Sequence, residues 1–297
     1  MTAASPLKVL ADAIRTTADA AAAGVLQVRA RGARPATVAH VGEDLVVAPL
    51  HALDRDEGLV VVRADHVLDA SVAGRDDTLD LALLRVPGLG ASPLVQATET
   101  AAAAQLVVAV ARSWQGDLMA RLASITGQTC PLRRWRAEPL PALVRTDVQA
   151  GRGVSGGVLV DPEGRVQAWV TTGLSRAGVV GIPASLLWDR VGRLATHGRI
   201  RRGYVGTAVQ PVLLPPAQQA HGRHGLLVSG VDADGPAAGA GIYVGDVLIA
   251  ADGEGLVEPG ALQGRLIESR IGTQLTLRVL RATTIHDIAV TVGERAR

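Results

Sequence analysis

Between Val25 and Val170 the chain is a succession of short Val/Leu/Ile runs: VLQV, TVAHV, LVVAPL, LVVVRA, ALLRV, LVVAV, ALVRT, GVLV and VQAWV. Gly, Pro or Asp breaks the chain between them. Short β-branched runs at close spacing, with turn residues between, predict an all-β sandwich or barrel. The interior must be built from Leu, Val, Ile and Ala, because Phe is absent and the aromatics are four Trp and two Tyr. Hydrophobic residues still make up 48% of the 297, enough apolar mass for real cores and for two or three domains.

The flanking segments have different patterns. Pro6 to Ala23 is Ala-rich with Leu7, Leu10 and Ile14 at helical spacing, so 1–24 reads as an N-terminal helical segment. The β domain, 25–197, closes on ASLLWDRVGRLATH (184–197), an amphipathic helix with Leu186, Leu187, Val191 and Leu194 on one side. A basic, Gly-containing stretch, 198–203, reads as a linker. From Tyr204 to 297 the order is strand, Pro-rich turn, strand, small-residue helix, strand, helix and two closing strands, a second domain of α+β type.

Several classes are disfavoured. A net charge of +2 gives no electrostatic case for nucleic acid, and Arg133, Arg134 and Arg136 read as a solvated loop. The seven histidines are scattered without paired ligand spacing, and no phosphate-binding glycine loop leads from a strand into a helix, so no metal and no cofactor is expected. Asp12 and Arg15 interrupt the first apolar stretch before it could serve as an export signal, and no segment reaches the roughly 20 apolar residues of a membrane span. The single cysteine, Cys130, excludes an internal disulfide and fits a reducing compartment. The expectation is a soluble cytoplasmic protein without a membrane span.

Chemistry concentrates at Thr146–Val160, TDVQAGRGVSGGVLV. Ser155 stands between glycines, which can adopt the tight backbone that turns N–H groups toward developing negative charge. A serine hydroxyl also needs a base, oriented by a carboxylate. His51 ends the apolar strand LVVAPLH, and Asp80 stands at the mouth of LALLRV; the chain order is His, Asp, Ser. His40, before the Gly42-Glu43-Asp44 turn, competes with His51 for the role of base.

The segment TDVQAGRGVSGGVLVDPEGRV resembles, without a gap, the active-serine segment of HtrA (Deg)-type serine proteases, T-D-x-x-x-x-x-G-N-S-G-G-P-L-V-x-x-x-G-x-V. LVVAPLHAL is similar to that family's strand leading to T-N-N-H-V, and VAGRDDTLDLALLRV to its V-x-x-x-D-x-x-x-D-L-A-L-L-K/R-V. GVVGIPAS (178–185) resembles the end of its protease domain. RRGYVG, GLLVSGV, GPAAGAG, VGDVLIAADG and the closing VTVGER resemble the PDZ domain that follows.

The resemblance implies a mainly β chain, a chymotrypsin-like double β-barrel followed by a PDZ domain. It implies Ser155 as nucleophile, His51 as general base and then acid, Asp80 as the group holding the histidine tautomer, and Gly153 and Ser155 N–H as the oxyanion hole. In the PDZ half it implies that His224 with Gly225, Leu226, Leu227 and Val228 forms the loop capturing a C-terminal carboxylate, with the next strand's edge pairing with the peptide. By family position the 171–176 loop borders the primary specificity pocket, where the lack of an acidic residue suggests small or apolar side chains. Partners would be unfolded or flexible polypeptides and C-terminal peptides, with homo-oligomers compatible.

Departures surround an otherwise complete triad. Val154 stands where the family has Asn, and Val158 where it has Pro; Val154 lacks the side-chain hydrogen bond Asn can make. Ala36-Thr37-Val38-Ala39 replaces the family's G-S-G, and Pro49-Leu50 the small polar residues before the histidine. No Tyr or Trp precedes Trp114, so the family's aromatic trimer contacts have nothing to draw on. Two readings stay open: an active HtrA-type serine endopeptidase, or a catalytically weak or inactive homologue acting as a PDZ-based polypeptide-binding or chaperone-like module.

Overall fold

A computed structural model describes residues 5–64, 66–90, 92–99, 102–129, 142–175 and 178–294. Cys130, Arg133, Arg134, Arg136 and Arg176 lie outside the described residues. The chain forms two compact units, and the backbone passes from the first to the second between Ile200 and Arg201.

The first unit starts with helix α1 (Pro6–Ala22) and a six-stranded closed barrel. Its strands are β1 (Val25–Ala30), β2 (Ala36–Gly42), β3 (Leu45–Pro49), β4 (Leu59–Arg63), β5 (His66–Asp76) and β6 (Leu81–Arg85), closed in the order β1-β2-β3-β6-β5-β4. A second closed barrel follows: β7 (Leu106–Arg112), β8 (Leu118–Thr129), β9 (Leu143–Thr146), β10 (Val158–Val160), β11 (Val166–Thr171) and β12 (Val180–Pro183), in the order β10-β11-β12-β9-β8-β7. Helix α2 (Ala184–His197) completes the unit.

Short aliphatic side chains fill both barrels, as a Phe-free composition requires. Val28, Val38, Val46, Leu59, Val61 and Leu84 pack in the first, and Val107, Ile125, Val144, Leu159, Ala168 and Val170 in the second. A strand with one wet face alternates in burial. β2 instead is buried from Ala36 to Val41 without a break, because its outer face is covered too. Thr37 on that face meets Arg112 and Gly153 of the second barrel. The barrels therefore join along β2, and the serine turn lies at the junction.

The boundaries differ from those expected. α1 is part of the first unit, with Ala18 and Ala21 buried and Thr17 Oγ1 donating to Pro162 O at 3.3 Å. Arg112 clamps its C-terminal end through bonds to Ala22 O (2.9 Å) and Val25 O (2.7 Å). The expected linker 198–203 is divided. Gly198 caps α2 in a left-handed conformation and Arg199 bridges Arg75 on β5, whereas Arg201 pairs with Glu294 in the second unit.

The second unit contains β13 (Gly203–Tyr204), β14 (Thr207–Leu213), β15 (His224–Val231), α3 (Pro236–Gly239), β16 (Val247–Ala251), β17 (Glu254–Gly255), α4 (Pro259–Gln263), β18 (Gln274–Arg281), β19 (Thr284–Thr291) and β20 (Gly293–Glu294). Its main sheet runs β14-β15-β16-β18-β19, with β17 on β16, over a core of Leu226, Val228, Leu248, Leu277, Val279 and Val290. No helix among the described residues is long and apolar enough to cross a membrane.

One buried ion pair ties α2 to the first barrel: Arg190 Nε lies 3.8 Å from Asp76 Oδ2, both side chains almost fully enclosed. Removing one partner strands a buried charge. Arg190→Met is therefore expected to cost about 3–5 kcal/mol in guanidinium unfolding. Asp76→Asn added to it should recover part of that loss, because no unpaired charge remains.

Candidate active site

His51 lies in the single helical turn Leu50–Ala52 directly after β3, rather than at a strand's end. Asp80 closes the turn before β6 with φ +59°, a left-handed conformation that Asp tolerates better than most residues. Its carbonyl accepts the Leu50 N–H at 2.9 Å, so the two turns are fastened backbone to backbone. Asp80 is buried, 7% exposed, and its carboxylate is fully engaged. Oδ1 accepts the His51 backbone N–H at 2.8 Å, and Oδ2 lies 2.6 Å from His51 Nδ1. Thr171, at the end of β11, donates its hydroxyl to the same Oδ2 at 2.5 Å and accepts the Gly173 N–H at 2.9 Å.

Held this way, Nδ1 carries the proton and Nε2 is left as the basic nitrogen. The hydrogen bond to Asp80 raises the His51 pKa above the ordinary imidazole value; partial burial opposes that rise and the Asp80 charge adds to it. Gly173 lies flat over the pair. A Cβ there would stand 2.6 Å from Asp80 Cγ and 2.7 Å from His51 Nδ1, so only glycine fits.

Ser155 occupies the turn before β10, on the second barrel's side of the junction. Its Oγ takes the Thr172 N–H at 3.0 Å and exchanges a hydrogen bond with Thr172 Oγ1 at 2.8 Å. Among the described residues it makes no hydrogen bond to His51. The structure thus brings His51 and Asp80 into direct contact and holds Ser155 turned toward Thr172.

The glycines around the serine are fixed by close approach. Gly153 (φ +86°) and Gly156 (φ +93°) have positive φ, and a Cβ on either would collide with the carbonyl of Arg112 or Thr37 respectively. Gly153 N–H and Ser155 N–H have no acceptor among the described residues. The carbonyl of Gly153 is held by Thr37 Oγ1 at 2.6 Å, and that oxygen itself accepts Arg112 N–H at 2.9 Å. Upstream, Asp147 binds Ser124 N and Ser124 Oγ, each at 2.8 Å, and anchors the approach to the turn.

His40 does not compete. It is fully enclosed, with Nε2 2.6 Å from Glu43 O, where it braces its own hairpin. Thr171, Thr172, Gly173 and Thr37 were not read as site residues from sequence. By sequence the 171–176 segment is only a pocket border, and the Thr-Thr-Gly run directly after VQAWV is the one local signal.

In the second unit the expected carboxylate loop is corrected. Gly225, Leu226, Leu227 and Val228 lie inside β15, paired with β14 on one flank and β16 on the other. Their polar groups are spent in ladders, and Leu226 and Val228 are core residues. Among the described residues the free edge belongs to the preceding strand, β14, not to the one that follows. The loop leading into β14 has Val205 and Gly206 N–H groups without acceptors among the described residues, with Gly206 at φ +83°. Helix α4 lies against β14. Thr207 Oγ1 and Gln263 Oε1, one on each of these elements, are buried with no partner among the described residues.

Two closed six-stranded barrels, a His–Asp pair on one side of their junction and a glycine-flanked serine on the other define a serine peptidase fold of the trypsin class. Comparison with known proteins agrees. The model of the trypsin-like peptidase domain matches residues 16–168 and that of the PDZ domain residues 203–292. The chain belongs to the trypsin-like peptidase family, in its HtrA (Deg) branch with a C-terminal PDZ domain.

Among curated relatives, a probable periplasmic serine endoprotease, DegP-like, of Pseudomonas fluorescens is 29% identical over 250 residues, 81% of this chain and 52% of that one. The similarly named protein of Brucella suis is 29% identical over 267 residues, 85% and 51%. The chain thus spans about half the length of the curated relatives it matches. Among solved structures, the serine endoprotease from Yersinia pestis superposes with a TM-score of 0.76 at 21% identity, covering 100% of both chains. The HtrA-type protease AlgW with a decapeptide gives 0.74 at 19%, covering 96% of this chain and 99% of that one.

These relatives overturn the cytoplasmic expectation, since they are named as periplasmic enzymes. A short apolar stretch interrupted by charges does not define a compartment, and one cysteine is as compatible with an oxidising compartment as with a reducing one.

Thr37 should matter for turnover. Thr37→Val keeps the shape and removes the bond to Gly153 O; it is expected to lower kcat about threefold to tenfold with KM unchanged. Thr37→Ser should restore the loss. Steady-state kinetics on a flexible peptide substrate check both.

Proposed function

We propose that the chain is a serine endopeptidase that cleaves unfolded or flexible polypeptides in the periplasm, with a PDZ unit that binds C-terminal peptide segments. The observation that carries the reading is the Asp80–His51 pair, fixed by two hydrogen bonds and supported by Thr171 and Gly173, facing a serine in a glycine turn with two unoccupied N–H groups.

The chemistry follows from these groups. Ser155 rotates about χ1 away from Thr172, so that Oγ meets His51 Nε2; catalytic hydrogen bonds are often absent in unliganded structures and form with substrate. As Oγ attacks the scissile carbonyl carbon, its proton passes to Nε2, while the Nδ1 proton stays on the bond to Asp80. The imidazolium so formed is stabilised by the carboxylate, then protonates the leaving amine. The carbonyl oxygen becomes an oxyanion bound by Gly153 N–H and Ser155 N–H, each worth about 3–4 kcal/mol. Water repeats the sequence on the acyl-enzyme.

The periplasmic setting rests on the relatives' names, and peptide capture on the PDZ match and the free edge of β14. The binding-only reading loses ground because nothing in the His–Asp half is missing.

Casein should be degraded by the wild-type chain and not by Ser155→Ala, with a fluorophosphonate probe labelling only the former. Intact casein together with an unlabelled Ser155 would instead leave a binding module.

The pH profile is a separate check. His51 must be neutral to accept the proton, and its raised pKa means that it is protonated, and inactive, up to a higher pH than a free imidazole. The acid limb of kcat/KM should accordingly lie above the ordinary imidazole value. Asp80→Asn removes both raising influences and leaves burial, so the limb should shift to lower pH while kcat falls by about 10⁴. A limb unmoved by Asp80→Asn would show that another group controls it.

A further inference from the structure

The free edge of β14 is not uniform, and its pattern can be read from the ladder. Leu214 N–H bonds to Arg223 O at 3.0 Å. Hydrogen-bonded pairs alternate along an antiparallel ladder, so Val212↔Gly225 and Gln210↔Leu227 exchange bonds in this register. The other flank agrees: Val228 N–H bonds to Asp246 O at 2.8 Å, which turns Val228 and Leu226 toward β16 and Leu227 and Gly225 toward β14. Beyond the irregularity between Ala208 and Val209, the bond from Asp232 N–H to Gly206 O at 2.9 Å gives the same phase. Thr207, Val209, Pro211 and Leu213 therefore direct their main-chain groups outward. Three of them offer an N–H and a C=O. Pro211 offers only a C=O, and its ring stands where the donor would be.

We propose that Pro211 limits the peptide segment read by the PDZ unit to about the last four residues, through an interrupted β-ladder. The proposal rests on the reading that a C-terminal tail adds to β14. With its carboxylate at the Val205 and Gly206 N–H groups, an antiparallel tail places its last residue beside Thr207 and its third-last beside Val209, where both bonds form. The fifth-last residue faces Pro211. Its N–H can reach Pro211 O, but its own carbonyl finds no donor and loses water to the ring. Pairing further upstream gains nothing until Leu213, by which point the tail has no continuous ladder to follow. The occupant is a short, extended C-terminal tail, and sequence more than four residues from the terminus is not selected here.

The test uses the full chain carrying Ser155→Ala, so that ligands survive, and acetylated peptides of four and ten residues that share a Thr-Ile-Val terminus. Fluorescence-competition titration should give the two lengths dissociation constants within twofold of each other. In Pro211→Val the ten-residue peptide should bind about threefold to tenfold tighter than the four-residue one, whose own affinity stays put. Pro211→Ala serves the same end if the β-branched variant does not fold.

A wild-type chain that already prefers the longer peptide to the same degree as the variants overturns the proposal. So does a variant in which the two lengths remain equal, which would make Pro211 only a guard against edge-to-edge pairing. A ten-residue peptide with an amidated C-terminus separates the layers. If amidation changes nothing, or neither length binds, the groove reading itself fails and the proposal falls with it.

Discussion

The contact on which the site depends is the crossing of β2 and the serine turn. Thr37 and Gly156 approach so closely that no side chain fits between them, and Thr37 Oγ1 joins Arg112 N–H to Gly153 O. A threonine hydroxyl has one proton and two lone pairs, and here it is used in both directions in a fully buried position. The desolvated guanidinium of Arg112 spends its donors on Ala22 O, Val25 O and Gly116 O, which extends the brace to the end of α1. Burial lowers the Arg112 pKa, against the opposing pull of the Asp117 charge. The Val154 side chain contributes no polar bond to the turn, so the turn's shape comes from glycine dihedrals, from the backbone bonds Val154 N–H to Gly151 O and Gly157 N–H to Val154 O, and from this brace.

Much of this was legible in the sequence, for reasons that differ by residue. The barrel strands were readable because each is a short β-branched run ended by a turn residue. Order and local motif single out His51, Asp80 and Ser155, and the structure brings the first two into contact. Thr37 was not legible, because its partners lie 75 and 116 positions away and an Ala-Thr-Val-Ala run reads as ordinary strand. Thr171 and Gly173 likewise acquire meaning only when the second barrel brings them over Asp80.

The misreading of Gly225–Val228 has a related cause. A glycine followed by Leu-Leu-Val has the same local pattern whether it is a carboxylate loop or the start of a central strand. Strand order decides, and strand order is a property of the sheet. The Pro-containing strand before it was the better indication of an edge, since proline cannot donate into a ladder on both sides. The docking of α1 is hidden for another reason: an Ala-rich helix buries so little side chain that sequence gives no hint of its docking face, whereas Ala18, Ala21 and the Arg112 clamp define it.

In the mechanism proposed above, the resting position of Ser155 bears on whether the site is active or retired. Two neutral hydrogen bonds to Thr172 are exchanged for one to His51 when the serine turns, and a neutral hydrogen bond is worth about 0.5–1.5 kcal/mol net. The turned-away state is thus favoured by an amount on the order of 1 kcal/mol, a fewfold reduction in the competent population. The barrier lowering that peptidases must supply is roughly ten times larger. A serine bonded to its neighbour therefore costs little, provided that the base and the oxyanion donors are already in place. The His51–Asp80 pair meets the first condition with no further movement. The Thr37 brace, acting on the peptide that links Gly153 to Val154, holds the turn for the second. Loss of catalytic power would be expected from damage to either of these fixed parts, whereas the serine's rotamer is the one component that can afford to wait for substrate.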